Sequence, residues 1–514
     1  MSVDVLIGQA YYLRFDPALW AAHRPYAPLG ALYAAAHVRE GGFDVELFDA
    51  MLAESPAAWA AALDRHRPAF AVIYEDSFNY LSKMCLLRMR EAALEMIGAA
   101  RERQIPVIVA GSDATDHPDL YLACGARLVV AGEGEVTLVR AIEALTHGDV
   151  NLAAIDGLVF RETDGSVRRT PPRPIMRDLD TGPRPAWDLV DVERYRAVWL
   201  RHHGEFSMNI ATTRGCPYHC NWCAKPIYGQ RYTARSAESV AEEIAWLKRV
   251  YRPDHIWITD DIFGLKPGWI EAFAHAVNER GAAVPFKCLM RADGISDAVV
   301  DALRAAGCRT VWIGAESGSQ RVLDAMEKGT RVDQIERAAE RLHAAGIEVC
   351  FFLQFGYPGE TLSDIDLTLD MVRRCQPDDI GVSVSYPLPG TPFFDRVRAQ
   401  LGEKQNWVDS SDLAMMYRAA YSPDFYRALH ASVHARFRLQ RGAAALRTMV
   451  RQPRRWFGHD RAALISAVMP LIKLPWLAAR VRRLAQTGAS SEPTPALIPL
   501  LTQNAAAMPS EQGN

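Results

Sequence analysis

The stretch RGCPYHCNWCA, residues 214–224, is the strongest signal in this sequence. It holds Cys216, Cys220 and Cys223 at C-x3-C-x2-C spacing, with no fourth cysteine nearby. Three thiolates can hold three irons of a four-iron cluster and leave the fourth iron open to another ligand. A structural zinc site needs four closed ligands, usually from two C-x2-C pairs, and only one such pair is present. The spacing therefore favours an iron–sulfur cluster over zinc or a disulfide.

The residues around the cysteines agree with this interpretation. Arg214-Gly215 stands before the first cysteine and Trp222 directly before the last, and the basic and aromatic run KPIYGQRYTARS follows. Together they resemble the signature of the radical S-adenosylmethionine (radical SAM) enzymes. The resemblance implies that Cys216, Cys220 and Cys223 bind a 4Fe–4S cluster and are catalytic, with S-adenosylmethionine as a cofactor.

The composition bounds the class of protein. A chain of 514 residues with 49% hydrophobic and 23% charged residues is globular, and its length suggests about three domains. The net charge of −3 gives no reason to expect nucleic-acid binding. Nine cysteines form an odd, scattered set, and MSVDVLIGQA lacks the basic and apolar pattern of a signal peptide. We therefore expect a cytoplasmic protein.

Residues 1–150 alternate short apolar runs with helical patterns. The runs lie at 3–8, 43–48, 69–74, 106–110 and 127–130 and are rich in valine and isoleucine. Strands that alternate with helices and end in glycine-bearing loops predict an α/β domain with an open, doubly wound, flavodoxin-like parallel sheet. Such a sheet binds its ligand outside the carboxyl ends of its strands.

Four segments of this region resemble the cobalamin-binding domain that precedes the radical SAM domain in one large subfamily. They are PYAPLGALYAAAHVREGG at 25–42, LFDA at 47–50, AGSD at 110–113 and AGEGE at 131–135. The resemblance implies a cobalamin-binding domain over residues 1–150. Its predicted cofactor-binding residues are Asp49, Ser77, Gly111, Ser112, Gly132, Glu133 and Gly134.

One cobalamin motif is missing. The D-x-H-x-x-G motif supplies a lower cobalt ligand in other cobalamin proteins, but Ala69 replaces its glycine after Asp64-Arg65-His66. This segment also precedes the third strand instead of following the first. We therefore expect no protein histidine on cobalt and interpret His66 as a surface residue. His23 is closer in position, and as a lone histidine we interpret it as a loop residue.

Residues 151–205 are predicted to be a linker between two domains. Arg169 to Pro185 contains five prolines and alternating charge, which favours an extended segment on the domain surfaces. The segment resembles the DLD-x-x-PxPAWDLxDxxxY hinge of the same subfamily.

Residues 206–400 are predicted to form a partial (β/α)6 barrel. Six strand-like runs lie at 207–213, 254–259, 284–289, 309–314, 347–353 and 379–385, with helical patterns between them. In barrels the chemistry lies at the carboxyl ends of the strands. The cysteine loop follows the first run, and polar residues follow the next four.

Seven residues after these strands are predicted to bind cofactor. Six lie in segments that resemble radical SAM motifs, namely Asp260 and Asp261 in DDIF, Glu316 and Ser317 in GAESGSQ, and Tyr357 and Pro358 in FGYPGET. The seventh, Arg291, is predicted from its place after the third strand. The resemblance implies that Glu316 contacts the ribose or amino-acid part of S-adenosylmethionine and that the GYPG loop lies along the adenine. The alternatives are that Glu316 only forms a salt bridge, that Arg291 pairs with Asp293, and that GYPG is only a turn.

Residues 401–485 are predicted to be a mainly helical C-terminal region, and 486–514 a disordered tail. Between Arg427 and Arg483 there are thirteen Arg or Lys residues and one acid, Asp460. Residues 462–479 are apolar, but Lys473, Pro470 and Pro475 interrupt them, so we expect no membrane-spanning helix. Two alternatives remain open for this segment, which are weak peripheral contact with a membrane and a helix packed on the barrel.

The resemblance implies a cobalamin-dependent radical SAM enzyme that cleaves S-adenosylmethionine to a 5′-deoxyadenosyl radical. The expected reaction is methylation of an unactivated carbon of a small-molecule or lipid-like metabolite. Its alternatives are a radical oxidative cyclase or ring-rearranging enzyme of the magnesium-protoporphyrin ester cyclase type, and a non-catalytic cobalamin or cluster sensor. A flavodoxin or ferredoxin would serve as electron donor. The sequence leaves the substrate and the oligomeric state open.

The cysteine triad generates a first prediction. Anaerobically reconstituted protein should bind about four irons and four sulfides. Because the three thiolates are the expected ligands, changing Cys216, Cys220 and Cys223 together to alanine should abolish binding. Iron analysis and visible absorbance measure both effects, with Cys288, Cys308 and Cys350 changed to alanine as the matched control. Unchanged iron content in the first triple variant would contradict the cluster assignment.

Overall fold

The computed structural model describes residues 3–78, 86–148, 151–223, 227–402, 404, 406–451 and 459–487. An N-terminal sheet and a C-terminal half-barrel account for most of them. The strands of the N-terminal sheet are β1 (Val5–Gly8), β2 (Val45–Phe48), β3 (Phe70–Tyr74), β4 (Val107–Ala110), β5 (Leu128–Val130), β6 (Leu158–Arg161) and β7 (Val167–Arg169).

The N-terminal sheet has the order β2-β1-β3-β4-β5-β6-β7, and its first five strands are parallel. The helices that accompany it are α1 (Pro17–Ala22), α2 (Leu29–Glu40), α3 (Ala57–His66), α4 (Leu87–Glu102), α5 (Ser112–Asp116), α6 (Pro118–Cys124) and α7 (Glu135–His147). Separate apolar clusters pack on the two faces of the sheet. Strands β1, β4 and β5 are buried on both faces, which explains why they appear in the sequence as continuous apolar runs.

The predicted linker is partly wrong. Residues 158–161 and 167–169 form β6 and β7, which extend the sheet as an antiparallel hairpin. Leu158, Val159 and Phe160 are buried, so this segment contributes to the core instead of lying on the surface. A Thr-Asp-Gly-Ser turn at 163–166, with Gly165 at φ 86°, connects the two strands and is the signal that indicates a hairpin. Helix α8 (Val192–His203) then leads into the second domain.

The second sheet has six parallel strands in the order β15-β14-β13-β12-β11-β8. They are β8 (Ser207–Ile210), β11 (His255–Ile258), β12 (Phe286–Met290), β13 (Cys308–Glu316), β14 (Glu348–Phe355) and β15 (Asp379–Val384). A short ladder, β9 (Thr213–Arg214) with β10 (Thr233–Ala234), flanks the cysteine loop. The six strands coincide with the six predicted runs.

The helices of the second domain follow its strands in alternation. They are α9 (Ala237–Val250), α10 (Trp269–Glu279), α11 (Asp297–Ala306), α12 (Gln320–Ala325), α13 (Val332–Ala344), α14 (Leu362–Cys375) and α15 (Pro392–Val397). Thr361 caps α14 in a capping box with Asp364, as the sequence predicts. Gly307 ends α11 in the left-handed conformation, where glycine carries no Cβ penalty.

The C-terminal region is a pair of long helices, α16 (Pro423–Arg451) and α17 (His459–Thr487), packed against each other. The expectation that prolines interrupt residues 462–479 is wrong, since Pro470 and Pro475 lie inside α17. By length and composition alone, Ala462–Gln486 is long and apolar enough to cross a membrane. Helix α17 continues to Thr487, and residues 488–514 of the predicted disordered tail lie outside the described residues.

Candidate functional site

The cysteine loop leaves β9 at the carboxyl end of the barrel strands. Cys216, Cys220 and Cys223 are each partly exposed, and no described cysteine forms a disulfide. No group of three His, Cys, Asp or Glu side chains in the described part of the chain stands in metal-holding geometry. The donor set itself fits a cluster, because three accessible thiols share one loop whose position the neighbouring strands fix.

Asp260 holds the backbone that enters this loop. Its Oδ1 accepts hydrogen bonds from the amide nitrogens of Thr212 at 2.7 Å and Thr213 at 3.0 Å, and its Oδ2 accepts one from the Thr212 hydroxyl. Burial raises the pKa of Asp260 to about 6. The carboxylate predicted to meet a cofactor therefore serves to position the cysteine loop, whereas Asp261 is exposed.

Arg291 clamps the same loop from β12. Its guanidinium lies 3.6 Å from the ring centroid of Tyr218, which stands between the first two cysteines. It donates to both carboxylate oxygens of Asp293 at 3.0 Å and to the backbone oxygen of Lys328 at 2.8 Å. The pairing of Arg291 with Asp293, one of its two alternatives from the sequence, is therefore present. The positive charge of Arg291 also lies on the Tyr218 ring of the cysteine loop.

Tyr357 supports the loop from the other side. Its hydroxyl contacts the side-chain oxygen of Asn221 at 2.9 Å and the backbone oxygen of Ala325 at 3.0 Å, and Asn221 donates to the same Ala325 oxygen. Tyr357 is almost fully buried, as is Pro358. The GYPG segment is therefore buried and packed against the cysteine loop.

Glu316 lies at the end of β13 in an unusual conformation. Its φ is 58°, in the left-handed region, and the pairing of β13 with β14 shifts register between Gly314 and Glu316. For a residue with a side chain this backbone costs on the order of 1–3 kcal/mol, and such strain concentrates at functional sites. A Cβ at Gly314 would lie 2.7 Å from Lys328 Nζ, so a larger residue there would displace the pair that Glu316 forms.

That pair is a buried salt bridge of Glu316 Oε1 with Lys328 Nζ at 2.9 Å. Burial would lower the pKa of Lys328, but the charges of Glu316 and Cys220 raise it above its usual value. The salt-bridge alternative for Glu316 is thus present, and its contact with S-adenosylmethionine stays a prediction. Lys328, which the sequence analysis missed, brings a second positive charge toward Cys220.

Ser317 is engaged in fixing the loop after β13. Its hydroxyl lies 3.1 Å from that of Thr368 on α14 and accepts from the Ser319 amide at 3.1 Å. A Cβ at Gly318 would come within 2.3 Å of the backbone oxygen of Leu367, so the loop backbone touches the helix. Ser317 therefore positions Glu316 and does not face open space.

Arg214, directly before the cysteine loop, joins the two domains. Its guanidinium forms buried ion pairs with Glu133, in the loop after β5, and at 2.8 Å with Glu135, the first residue of α7. Burial would lower the pKa of Arg214, but the two glutamates and neighbouring tyrosines keep it well above its usual range. Glu133 was predicted to bind cofactor, and here it binds Arg214 and the amide nitrogen of Met176.

Aromatic rings exclude water from these pairs. The Arg214 guanidinium lies 5.5 to 5.7 Å from the ring centroids of Tyr33, Phe78 and Tyr228. In a dry, low-dielectric setting an ion pair is stronger, and leaving one partner unpaired is correspondingly costly. The carboxyl-end loops of the first sheet are thereby held against the cysteine loop of the second.

Other predicted residues of the N-terminal domain line those carboxyl ends. Asp49 accepts hydrogen bonds from the Tyr195 hydroxyl at 2.6 Å and the Met51 amide at 3.0 Å. Ser77 and Ser112 are buried. Gly132 has a φ of 81°, and a Cβ on Gly134 would lie 3.0 Å from the Tyr74 hydroxyl.

Gln9 Nε2 and Glu75 Oε2 are among the buried polar atoms of the described residues that have no hydrogen-bond partner. The other Glu75 oxygen accepts from the Ala10 amide at 3.0 Å, and burial raises the pKa of Glu75 to about 8. At neutral pH the carboxyl is therefore protonated and can donate. A Cβ on Gly111 would lie 2.5 Å from Glu75 Cβ, so the glycine keeps this cradle open. Orphaned donors beside an open backbone fit a ligand rich in amide oxygens, as cobalamin is.

The histidines considered in the sequence analysis lie elsewhere. The His66 backbone oxygen accepts from Val3 at the amino end of β1, which is the wrong end of the sheet for a cobalt ligand. His23 stacks on His202 of α8 with ring centroids 3.8 Å apart.

Sequence reasoning missed the aromatic inner face of the half-barrel. Trp312 and Phe352 stack with centroids 4.6 Å apart, and Lys287 Nζ lies 4.5 Å from the centroid of the Trp257 ring. Phe352 is 38% exposed, whereas its strand neighbours Phe351 and Leu353 are buried. Burial lowers the pKa of Lys287 to about 8. Along β12 half-exposed side chains alternate with buried ones, and this period of two residues is the signal that indicates an accessible strand face.

The chain was compared with known proteins. Residues 210–372 match the model of the radical SAM superfamily. An uncharacterised methyltransferase of Pyrococcus horikoshii is 27% identical over 371 residues, 72% of this chain and 78% of that protein. The anaerobic magnesium-protoporphyrin IX monomethyl ester cyclase of Synechocystis is 28% identical over 326 residues, 61% of each chain.

A solved structure has the same fold. The radical SAM methyltransferase TsrM of Kitasatospora setae, solved with cobalamin and a 4Fe–4S cluster, superposes with a TM-score of 0.64 at 22% identity. The likeness covers 78% of this chain and 75% of that protein. It confirms the predicted fold class, and the superfamily match with the two named relatives confirms the resemblance to radical SAM enzymes.

The Arg214 ion pairs generate a second prediction. Changing Arg214 to Gln leaves Glu133 and Glu135 buried without a partner, so the free energy of unfolding should fall by about 3–5 kcal/mol. Urea unfolding followed by tryptophan fluorescence measures the change. The matched control is Arg309→Gln, which breaks a partly exposed pair with Glu205 and should cost about 0–1 kcal/mol.

A further variant separates charge burial from packing. Adding Glu133→Gln and Glu135→Gln to Arg214→Gln removes the unpaired charges and should recover part of the loss. Equal effects of Arg214→Gln and Arg309→Gln would contradict the structural role of the ion pairs.

Proposed function

We propose that this chain, whose residues 210–372 form a radical SAM domain, is a cobalamin-dependent enzyme that methylates an unactivated carbon of a small molecule. The observation that carries the proposal is the pair of ion bridges from Arg214 to Glu133 and Glu135. They hold the ligand-binding edge of a flavodoxin-like sheet against the cysteine loop. The cysteine loop and this sheet edge are the two proposed cofactor platforms. They face each other, as the transfer of a methyl group between two cofactors requires.

The residues present fit three cofactors. Cys216, Cys220 and Cys223 would hold a 4Fe–4S cluster, and the surface around Glu316, Arg291 and the GYPG backbone would hold S-adenosylmethionine. The cradle of Gln9, Glu75 and Gly111 would hold cobalamin. When bound, these groups supply the radical and methyl-transfer chemistry, and the protein supplies binding, orientation and exclusion of water.

The positive charges near the cysteines would stabilise cluster binding. Lys328 and Arg291 both lie close enough to Cys220 for a charged thiolate there to attract them electrostatically. Positive charge beside thiolates stabilises their deprotonated, metal-binding form. The Glu316–Lys328 salt bridge fixes one of these cations, and the hydrogen bonds of Arg291 with Asp293 fix the other.

The inner face of the half-barrel supports an apolar or aromatic substrate. Trp257, Trp312 and Phe352 offer flat rings, and Lys287 lies over the Trp257 ring with its pKa lowered by burial to about 8. Ligand sites are mostly apolar with a few polar groups that fix orientation. A small electron carrier such as flavodoxin or ferredoxin would reduce the cluster, and the reducing cytoplasm would preserve it.

A second candidate function is a radical cyclase, which the 28% identity with the Synechocystis cyclase favours. It would use the same platforms without transferring a methyl group to the substrate. A cofactor-binding sensor, the third alternative, would form neither deoxyadenosine nor product.

The reaction generates a third prediction. Reconstituted protein is incubated anaerobically with cobalamin, a reductant, methyl-deuterated S-adenosylmethionine and a small-molecule extract of the source organism. A methylase should place the intact labelled methyl group in one metabolite, because the methyl donor is S-adenosylmethionine. Mass spectrometry should show S-adenosylhomocysteine and deoxyadenosine rising in step with that product.

The other outcomes identify the alternatives. Deoxyadenosine and an altered metabolite without label would indicate the cyclase, and no deoxyadenosine would indicate the sensor. The variant with Cys216, Cys220 and Cys223 changed to alanine is the negative control. The variant with Cys288, Cys308 and Cys350 changed to alanine keeps the cysteine loop and controls for cysteine loss.

A further inference from the structure

Helix α17 exposes a stripe of large apolar side chains. Ile465, Met469, Ile472 and Trp476 are 64%, 53%, 71% and 60% exposed. Their spacing of four, three and four residues places them on one face of the helix. A contiguous exposed apolar surface of this kind usually marks an interaction site. We call these four residues the apolar stripe.

The opposite face of α17 is occupied by the protein itself. Ala467, Leu477 and Ala485 are buried. A Cβ on Gly442 of α16 would lie 2.5 Å from the Ala467 Cβ, so the two helices touch closely there. Helix α17 therefore packs on the protein through this face, and the apolar stripe on its other face remains exposed to solvent.

Positive charge surrounds the stripe. Residues 461–487 contain five Arg or Lys residues and no acid. The Arg480 guanidinium lies 5.4 Å from the centroid of the Trp476 ring, and Lys473, Arg482 and Arg483 are exposed. Exposed apolar residues with a tryptophan, flanked by basic residues, are complementary to the surface of an anionic bilayer.

We propose that the apolar stripe docks the protein on an anionic lipid bilayer, with α17 lying in the plane of the interface. The helix does not span, because α16 covers one side of it and carries Arg436, Arg438, Arg441 and Arg447. Several arginines beside a spanning helix would be costly in hydrocarbon.

The position of the helix pair directs this docking. Arg441 donates to Asp378 at 2.6 Å, and Asp378 directly precedes β15. Gly442, next to Arg441, touches Ala467, so the first residues of the stripe lie near the amino end of a barrel strand, at the opposite end from the cysteine loop. The proposal does not depend on the reaction that the site catalyses.

Co-sedimentation of the full chain with vesicles tests the proposal. The probes are phosphatidylcholine vesicles and phosphatidylcholine vesicles that contain phosphatidylglycerol. We expect binding to the anionic vesicles that weakens with salt, and little binding to the neutral ones. Equal binding to both, or to neither, would overturn the proposal.

Two sets of variants assign the binding to α17. Ile472→Ser with Trp476→Ser should reduce the partition to anionic vesicles at least tenfold, whereas Leu200→Ser with Leu367→Ser, also exposed apolar residues, should leave it unchanged. Lys473→Gln with Arg482→Gln should reduce it by on the order of tenfold, through loss of charge near the surface. Arg304→Gln with Arg373→Gln is the control of equal charge on other helices. Equal losses in variants and controls would contradict docking through this face.

Two further measurements distinguish other occupants. A concentration-dependent dimer in sedimentation velocity that Ile472→Ser with Trp476→Ser abolishes, without vesicle binding, would show that a second copy covers the stripe. Membrane association that resists both high salt and alkaline carbonate would show a spanning helix. Either result overturns interfacial docking.

Discussion

The structure depends on one buried cation, the guanidinium of Arg214. It stands directly before the cysteine loop and reaches two glutamates of the other domain. Its charge adds direction to the apolar cluster that the flavodoxin-like sheet and the half-barrel share. The surrounding rings of Tyr33, Phe78 and Tyr228 keep the pairs dry. Because an unpaired charge in such a setting is strongly unfavourable, the arrangement specifies one relative placement of the two domains over others.

The sequence predicts the strands and the cysteine triad well because their signals are local. Short apolar runs between helical patterns define β1 to β5 and the six barrel strands, and the spacing of Cys216, Cys220 and Cys223 is contained in eight residues. The partners of the site residues are not local. Glu133 carries a loop motif, but nothing near it indicates that Arg214 lies against it. Likewise, nothing in the sequence around Lys328 indicates that it pairs with Glu316, twelve residues away.

The two errors of sequence interpretation have a common cause, which is tertiary packing that overrides local preference. Pro470 and Pro475 remove backbone donors, yet α17 continues through both because its buried face packs on α16. The proline-rich connector likewise contains β6 and β7, because Leu158, Val159 and Phe160 find a place at the edge of a sheet that is already formed. Composition alone does not carry that information.

The glycines beside Phe352 have a consequence for how this protein can diverge. In register across β13, β14 and β15, Phe352 stands between Gly314 and Gly381, and a Cβ on Gly381 would lie 2.9 Å from its ring. The ring therefore fills space that its neighbours leave empty. A smaller side chain at position 352 would open space at this point of the inner face, and the Arg214 ion pairs lie on other segments of the chain. In the proposed function, position 352 is thereby a place where one substitution changes the room offered to a substrate without removing a charge that joins the two domains.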